Sequence, residues 1–293
     1  MSQPIESLLG ALDLQSNGAR TGEDIFIGAS HWMPNGRVFG GQVLAQSLVA
    51  AIRTTPDDRV VHSTHGYFLR PGDVDLPITF AVDRIHDGRS FSTRRAQAYQ
   101  NGLPILSMIA SFQRPDAGLD HQQDMPAGIP QPEDLPSTAD LVGDGTPTAA
   151  RDWLLRRPFD IRYSPEPIVQ TVGGVSTSLY PVWMKSITPL PDDDNLHRAA
   201  LAYSSDYTLL QIVLQHHRVP WTTRGIKSAS LDHALWIHRQ PRMDEWMLFL
   251  QQTPSATGGR GLSHGSFYTP DGVLIATAAQ ESMIRMPADP PVG

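Results

Sequence analysis

Apolar residues recur along this chain at two spacings, and the switch between them lays out its elements. Ile5, Leu8, Leu9 and Leu12 fall at steps of three and four, which predicts a short amphipathic opening helix. Residues 31–36 read as a loop. Residues 41–53 predict a second helix, with small residues at its start where another backbone or a ligand can approach closely. Strand-like runs then cover 60–69, 77–86, 89–100 and 104–113. Asp87-Gly88 and Asn101-Gly102 separate the last three, and such dipeptides are strong hairpin signals. The first half is therefore expected to be one helix against an antiparallel meander.

From 116 to about 147 the chain turns polar and rich in Pro, Gly and Asp, which suggests a linker crossing the surface. A short helical turn is expected at 151–157, and strand material at 169–187, interrupted by Gly173-Gly174. Residues 196–215 follow as one long amphipathic helix, and strands are expected at 225–237, 245–252, 261–268 and 273–284. The second half thus repeats the order of the first. Asn101-Gly102 and Asp271-Gly272 stand 170 positions apart, and Leu69-Arg70-Pro71 matches His238-Arg239-Gln240 at nearly the same offset. Identity between the halves is low, so what repeats is mainly the pattern. The expected division is 1–115 for one half, 116–150 for the linker and 151–293 for the other half.

The 196–215 helix carries an anomaly. Ala199, Tyr203, Asp206, Leu210 and Val213 share one face, and the third of these is an acid. A carboxylate facing a core needs partners or loses its charge. Asp206 is a satisfied structural residue, an inner cap at a break after Ser204-Ser205, or a group with chemistry to perform.

Composition narrows the choices. The 293 residues can bury a substantial core, and a net charge of −7 argues against a nucleic-acid or anionic-membrane binder. The absence of cysteine removes disulfides and thiolate nucleophiles, and fits a cytoplasmic protein. No run approaches the ~20 apolar residues of a membrane span. Gly261-Leu262-Ser263-His264-Gly265 matches a nucleophile-elbow pattern, but it lies in an alternating strand with no histidine after His264. Ser263 and His264 should therefore point to opposite faces. His62 and His65, or Asp232, His233 and His238, lack metal-ligand spacing, so no metal or cofactor is expected. Gly258-Gly259-Arg260-Gly261 lacks the strand-to-helix context of a phosphate loop and reads as a wide hairpin loop.

Longer motifs carry a family resemblance. In the first half these are Phe39-Gly40-Gly41-Gln42, the run HSTHGYFLRPGD from His62 to Asp73, Ser90 to Arg95, and Gln100-Asn101-Gly102. In the second half they are Tyr203-Ser204-Ser205-Asp206, the run from Leu231 to Trp236, Phe267-Tyr268, Asp271-Gly272-Val273 and Ala279-Gln280-Glu281. Together they resemble the TesB-like acyl-CoA thioesterases (thioesterase II) over nearly the whole chain apart from the linker. The resemblance implies an α+β double hotdog, two fused halves each with a long helix packed on an antiparallel sheet. It implies hydrolysis of medium- to long-chain fatty acyl-CoA to free fatty acid and coenzyme A. It also implies a homodimer or larger homo-oligomer. The family's catalytic Asp, Thr and Gln fall on Asp206, Ser230 and Gln280, so the serine is a departure. The first half lacks the Asp and the Gln and is expected to be mainly architectural. The alternative is a non-catalytic acyl-CoA or acyl-carrier-protein binding protein on the same fold; the Asp-and-His loop of hydratases is not evident.

Overall fold

A computed structural model describes residues 4–17, 22–141, 148–164, 168–172, 175–220 and 223–287. Gly173 and Gly174 lie outside the described residues. The first half holds α1 (Pro4–Leu12), β1 (Gln15–Asn17), β2 (Asp24–Gly28), α2 (Gly40–Ile52) and four long strands. These are β3 (Val60–Phe68), β4 (Ile78–Asp87), β5 (Phe91–Gln100) and β6 (Leu103–Gln113). Next come α3 (Thr138–Leu141), α4 (Thr148–Arg156), β7 (Phe159–Tyr163), β8 (Ile168–Val172) and β9 (Val175–Ser186). The second half continues with α5 (Asp194–Ser205), α6 (Leu209–His216), β10 (Lys227–Ser230) and β11 (Asp232–Ile237). It closes with β12 (Met247–Thr257), β13 (Arg260–Tyr268) and β14 (Leu274–Arg285). Among the described residues no helix is long and apolar enough to cross a membrane.

The strands join into one antiparallel sheet in the order β1-β2-β4-β5-β6-β3-β11-β14-β13-β12-β9-β7. Two expectations change here. β4, β5 and β6 form the predicted hairpins, but β3 crosses over to pair with β6, so the first half is not a simple meander. The short β1 and β2, which carry little periodicity, extend its outer edge. β3 also pairs with β11, and this contact fuses the halves. His65 lies opposite Ala234, 169 positions further on, the separation that also relates Arg70 to Arg239. Each half thus meets its own counterpart across a local two-fold axis, as in an isologous interface.

Helix α2 is apolar nearly all round and is buried between the sheet and α5, as such a helix must be. Its two glutamines are spent internally. Gln42 donates to the Ala29 carbonyl at 2.9 Å, and Gln46 to that of Ala11 at 2.8 Å, anchoring the N-terminal segment. In the second half the expected continuous helix is broken: α5 ends at Ser205, and α6 starts at Leu209 and packs on β12, β13 and β14.

The linker is more than a crossing. Gln122 donates to the Gly272 carbonyl at 2.8 Å and accepts from the Leu274 N–H at 3.0 Å. Ile129 and Leu135 join Trp183, Leu248, Leu250 and Tyr268 in a second, smaller apolar cluster. Phe249 and Phe267, in the main core, stack with ring centroids 3.9 Å apart. Strand alternation therefore places the linker over the far face of the same strands. The expected wide loop at Gly258-Gly259 closes instead as a two-residue turn, both glycines at positive φ (58° and 74°), flanked by the pair Thr257 and Arg260.

Candidate active site

Asp206 ends α5, in the gap before α6. Its carboxylate is buried, 8% exposed, and is met from three directions. Ser230 at the end of β10 donates its hydroxyl to Oδ1 at 3.0 Å. Gln280 on β14 donates to Ser230 Oγ at 3.0 Å, and its amide also donates towards Asp206. The third donor comes from the other half of the chain: the backbone N–H of Gly41, at the start of α2. Burial drives the Asp206 pKa up, from 3.8 to about 7, against the pull of these three hydrogen bonds.

Gly41 was not anticipated as a site residue, although the small start of its helix was. A Cβ at Gly41 would stand 2.2 Å from the Tyr203 carbonyl oxygen, and one at Gly40 would stand 2.5 Å from Asp206 Oδ2. Only glycine allows the N-terminus of α2, with its unpaired N–H groups and positive dipole end, to reach this carboxylate. The first half thus supplies a backbone donor to this carboxylate.

Ser230 needs a second correction. Counting by twos puts it on the face of Ala234 and Trp236, but a one-residue register shift between β10 and β11 intervenes. Ser230 pairs with Ser282, whereas Ala234 pairs with Ala279, so Ser230 shares its face with Ser282 and Gln280. The slip moves it from the outer face to the inner one. Asp232 repairs the interrupted ladder, accepting from the Glu281 N–H at 2.7 Å. Gln280 lies where alternation predicts, 1% exposed on the inner face of β14. Its Oε1 is buried without a protein partner.

An aromatic wall lines the helix break. Phe39 stacks on Tyr207 at 4.7 Å and meets Tyr203 edge-on at 5.2 Å, while the Arg157 guanidinium lies 5.0 Å from the Tyr207 ring. Burial raises the Tyr203 pKa to about 12, so the wall carries no anion of its own. On the sheet side, His233 Nε2 contacts Ser205 Oγ at 3.0 Å, and burial lowers its pKa to about 4. The ring is therefore neutral beside the site.

The competing motifs fall away. Ser263 and His264 occupy opposite faces of β13, Ser263 buried and opposite Gln280, with no helix following. His62 contacts Ser111 Oγ at 2.9 Å and His238 contacts Thr277 Oγ1 at 3.0 Å. No group of metal-ligating side chains occurs among the described residues. Arg260 donates to Glu281 at 2.9 Å.

The comparisons agree with this architecture at two levels. The structure of a conserved protein with hot dog fold from Alicyclobacillus acidocaldarius superposes with a TM-score of 0.74. It is 18% identical and covers 96% of this chain and 99% of its own, so it speaks for the fold alone. Closer in sequence, the structure of acyl-CoA thioesterase II TesB2 from Mycobacterium marinum has a TM-score of 0.79 and 40% identity, over 96% of this chain and 98% of its own. Acyl-CoA thioesterase 2 of Haemophilus influenzae is 35% identical, covering 97% of this chain and 99% of that protein. Family models described as acyl-CoA thioesterase and acyl-CoA thioesterase N-terminal domain match residues 154–283 and 29–113. The fold is the α+β double hotdog. The chain belongs to the acyl-CoA thioesterase II family, a family of thioester hydrolases.

Proposed function

We propose that this protein hydrolyses medium- to long-chain fatty acyl-CoA in the cytoplasm, using Asp206, Ser230 and Gln280 to activate water. The observation that carries the reading is the unbroken chain of hydrogen bonds from Gln280 through Ser230 to the buried Asp206, at 3.0 Å each. Hydrolysis needs a base for the water proton and donors for the developing oxyanion. Asp206, with its pKa near 7, is ionised in a useful fraction at neutral pH yet basic enough to take that proton. The Ser230 hydroxyl is committed to the carboxylate and is oriented by the Gln280 amide. Gln280 Oε1, free of protein donors, can accept the second hydrogen of the water. The oxygen then attacks the thioester carbonyl carbon, and the C–S bond breaks. The coenzyme A sulfur leaves and recovers the proton from Asp206, giving acid and free thiol. The N-terminus of α2 brings its positive dipole end beside the developing charge.

In this reading 1–115 and 151–293 are the two hotdog units and 116–150 the linker. Ser230, Gln280 and Ser282 are matched at the same register in the first half by Val61, Ala110 and Phe112, which hold no proton-transfer group. A dimer or larger assembly belongs to the same reading. Tyr67 and Ile109 stand 63% and 46% exposed on the neighbouring strands β3 and β6, and sedimentation measures the assembly.

The test is release of free thiol from palmitoyl-CoA, followed with Ellman's reagent. Asp206→Asn is expected to lower kcat by about 10² or more, with no covalent acyl-enzyme detectable by mass spectrometry during turnover. A trapped acyl-enzyme, or wild-type turnover by a folded Asp206→Asn protein, rejects the assignment. Tight binding of acyl-CoA without thiol release by the wild type would make the protein a binding module instead.

A further inference from the structure

Asp206 lies where α5 has ended and α6 has not begun, so few helical bonds hold it. Ser205, before it, is pinned to β11 through His233. What pins the other flank is Thr208. A threonine at the start of a helix ordinarily accepts a hydrogen bond from a first-turn N–H. Thr208 makes no such cap on α6. Its hydroxyl donates instead to Gln251 Oε1 on β12 at 2.9 Å, with the two side chains 1% and 0% exposed. A local rule is given up in favour of a long-range bond, and such departures collect at functional sites.

The sheet is shaped to receive this bond. Gln251 lies opposite Gly265 of β13. A Cβ at Gly265 would stand 2.6 Å from the Phe249 ring and 2.9 Å from Gln251 Cγ. Glycine there leaves the amide its path towards the helix break. Gln251 touches none of Asp206, Ser230 or Gln280 by hydrogen bond, so whatever it does for them passes through Thr208 and the backbone.

We propose that Thr208 and Gln251 are positioning residues for Asp206, clamping the α5–α6 break to the sheet so that the carboxylate stays in register with Ser230 and Gln280. The proposal rests on the reading of Asp206 as the base. A misplacement of about 1 Å at a reacting group can cost up to about 10² in rate, so a clamp two residues away has leverage.

Thr208→Val removes the hydroxyl while keeping the shape, and Gln251→Met removes the acceptor from the sheet side. Each is expected to lower kcat about tenfold, with KM changed less than about twofold. Thr208→Ser keeps the hydroxyl and should turn over like wild type. The double variant should lose no more than either single one, because both break the same bond. In an Asp206→Asn background, Thr208→Val should leave the residual turnover unchanged within about twofold. Wild-type kcat in folded Thr208→Val, or a full additional loss in the Asp206→Asn background, overturns the clamp. Should Thr208→Val fail to fold, Gln251→Met carries the same test alone. Wild-type turnover by Asp206→Asn itself overturns the base assignment and the proposal together, whereas a crippled Asp206→Asn beside an unaffected Thr208→Val overturns only the clamp.

Discussion

Two forces of opposite sign act on the Asp206 carboxyl. Burial disfavours the charge, while the Ser230 hydroxyl, the Gly41 N–H and the Gln280 amide favour it, and burial prevails to leave the pKa at about 7. Two predictions follow at this scale. With Asp206 in its proposed role as base, turnover requires the ionised form, so kcat/KM should rise through pH 7 and level off above it, which a pH–rate profile measures. Stability runs the other way. Folding raises this pKa from 3.8 to about 7, so the folded protein binds more protons than the unfolded chain between those values. Its stability therefore falls as pH rises through that window. Asp206→Asn should thus stabilise the protein above pH 7, by roughly a few kcal/mol, and make little difference below about pH 4. Denaturant titrations at the two pH values check it; equal effects at both would contradict it. Ser230 offers a further prediction. Its hydroxyl bridges Asp206 and Gln280, so Ser230→Ala should cost about 10²-fold in kcat, while Ser230→Thr should match or exceed wild type because the methyl fixes the rotamer.

Elements deliver these residues by interruption as much as by regularity. The apolar period across 196–215 predicts one helix, and only the polar Ser204-Ser205-Asp206 within it offered a break as one of the alternative readings. Long-range bonds to β10, β11 and β12 hold that break, and they join residues up to 43 positions apart. The slip at Leu231 is silent in the sequence, yet it decides which face Ser230 occupies. The glycines opening α2 were legible as a place of close approach; what approaches was not. Gly41→Ala puts a methyl 2.2 Å from the Tyr203 carbonyl oxygen, a backbone atom that cannot swing aside. The expected cost is about 1–3 kcal/mol or more in stability, together with a lower kcat as the Gly41 N–H shifts from Asp206. Unchanged thermal stability and activity would show that the helices separate freely.

Across the whole molecule, the pairing of β3 with β11 makes one sheet of two halves, and the candidate site straddles them, with Gly41 on one side and Asp206 on the other. Expressed separately, 1–115 and 116–293 would each expose one of these strands as an open edge and hold an incomplete site. Neither fragment alone is expected to release thiol from acyl-CoA, and mixing them should restore measurable turnover. Activity from 116–293 alone would show that the first half contributes nothing to the chemistry. By itself the sequence determined the helices α1 and α2, nearly all the long strands, the repeat of their order, and the identities of Asp206 and Gln280 as polar groups on apolar faces. These are readable because periodicity and turn chemistry act between neighbours in the chain. Only the tertiary structure decided between a continuous and a broken helix, and it set the inward turn of Ser230, the reach of Gly41 into the opposite half and the linker's place over the far face of the second half's strands. Each of these is set by a contact between residues far apart in sequence, and its energy appears only when those residues meet.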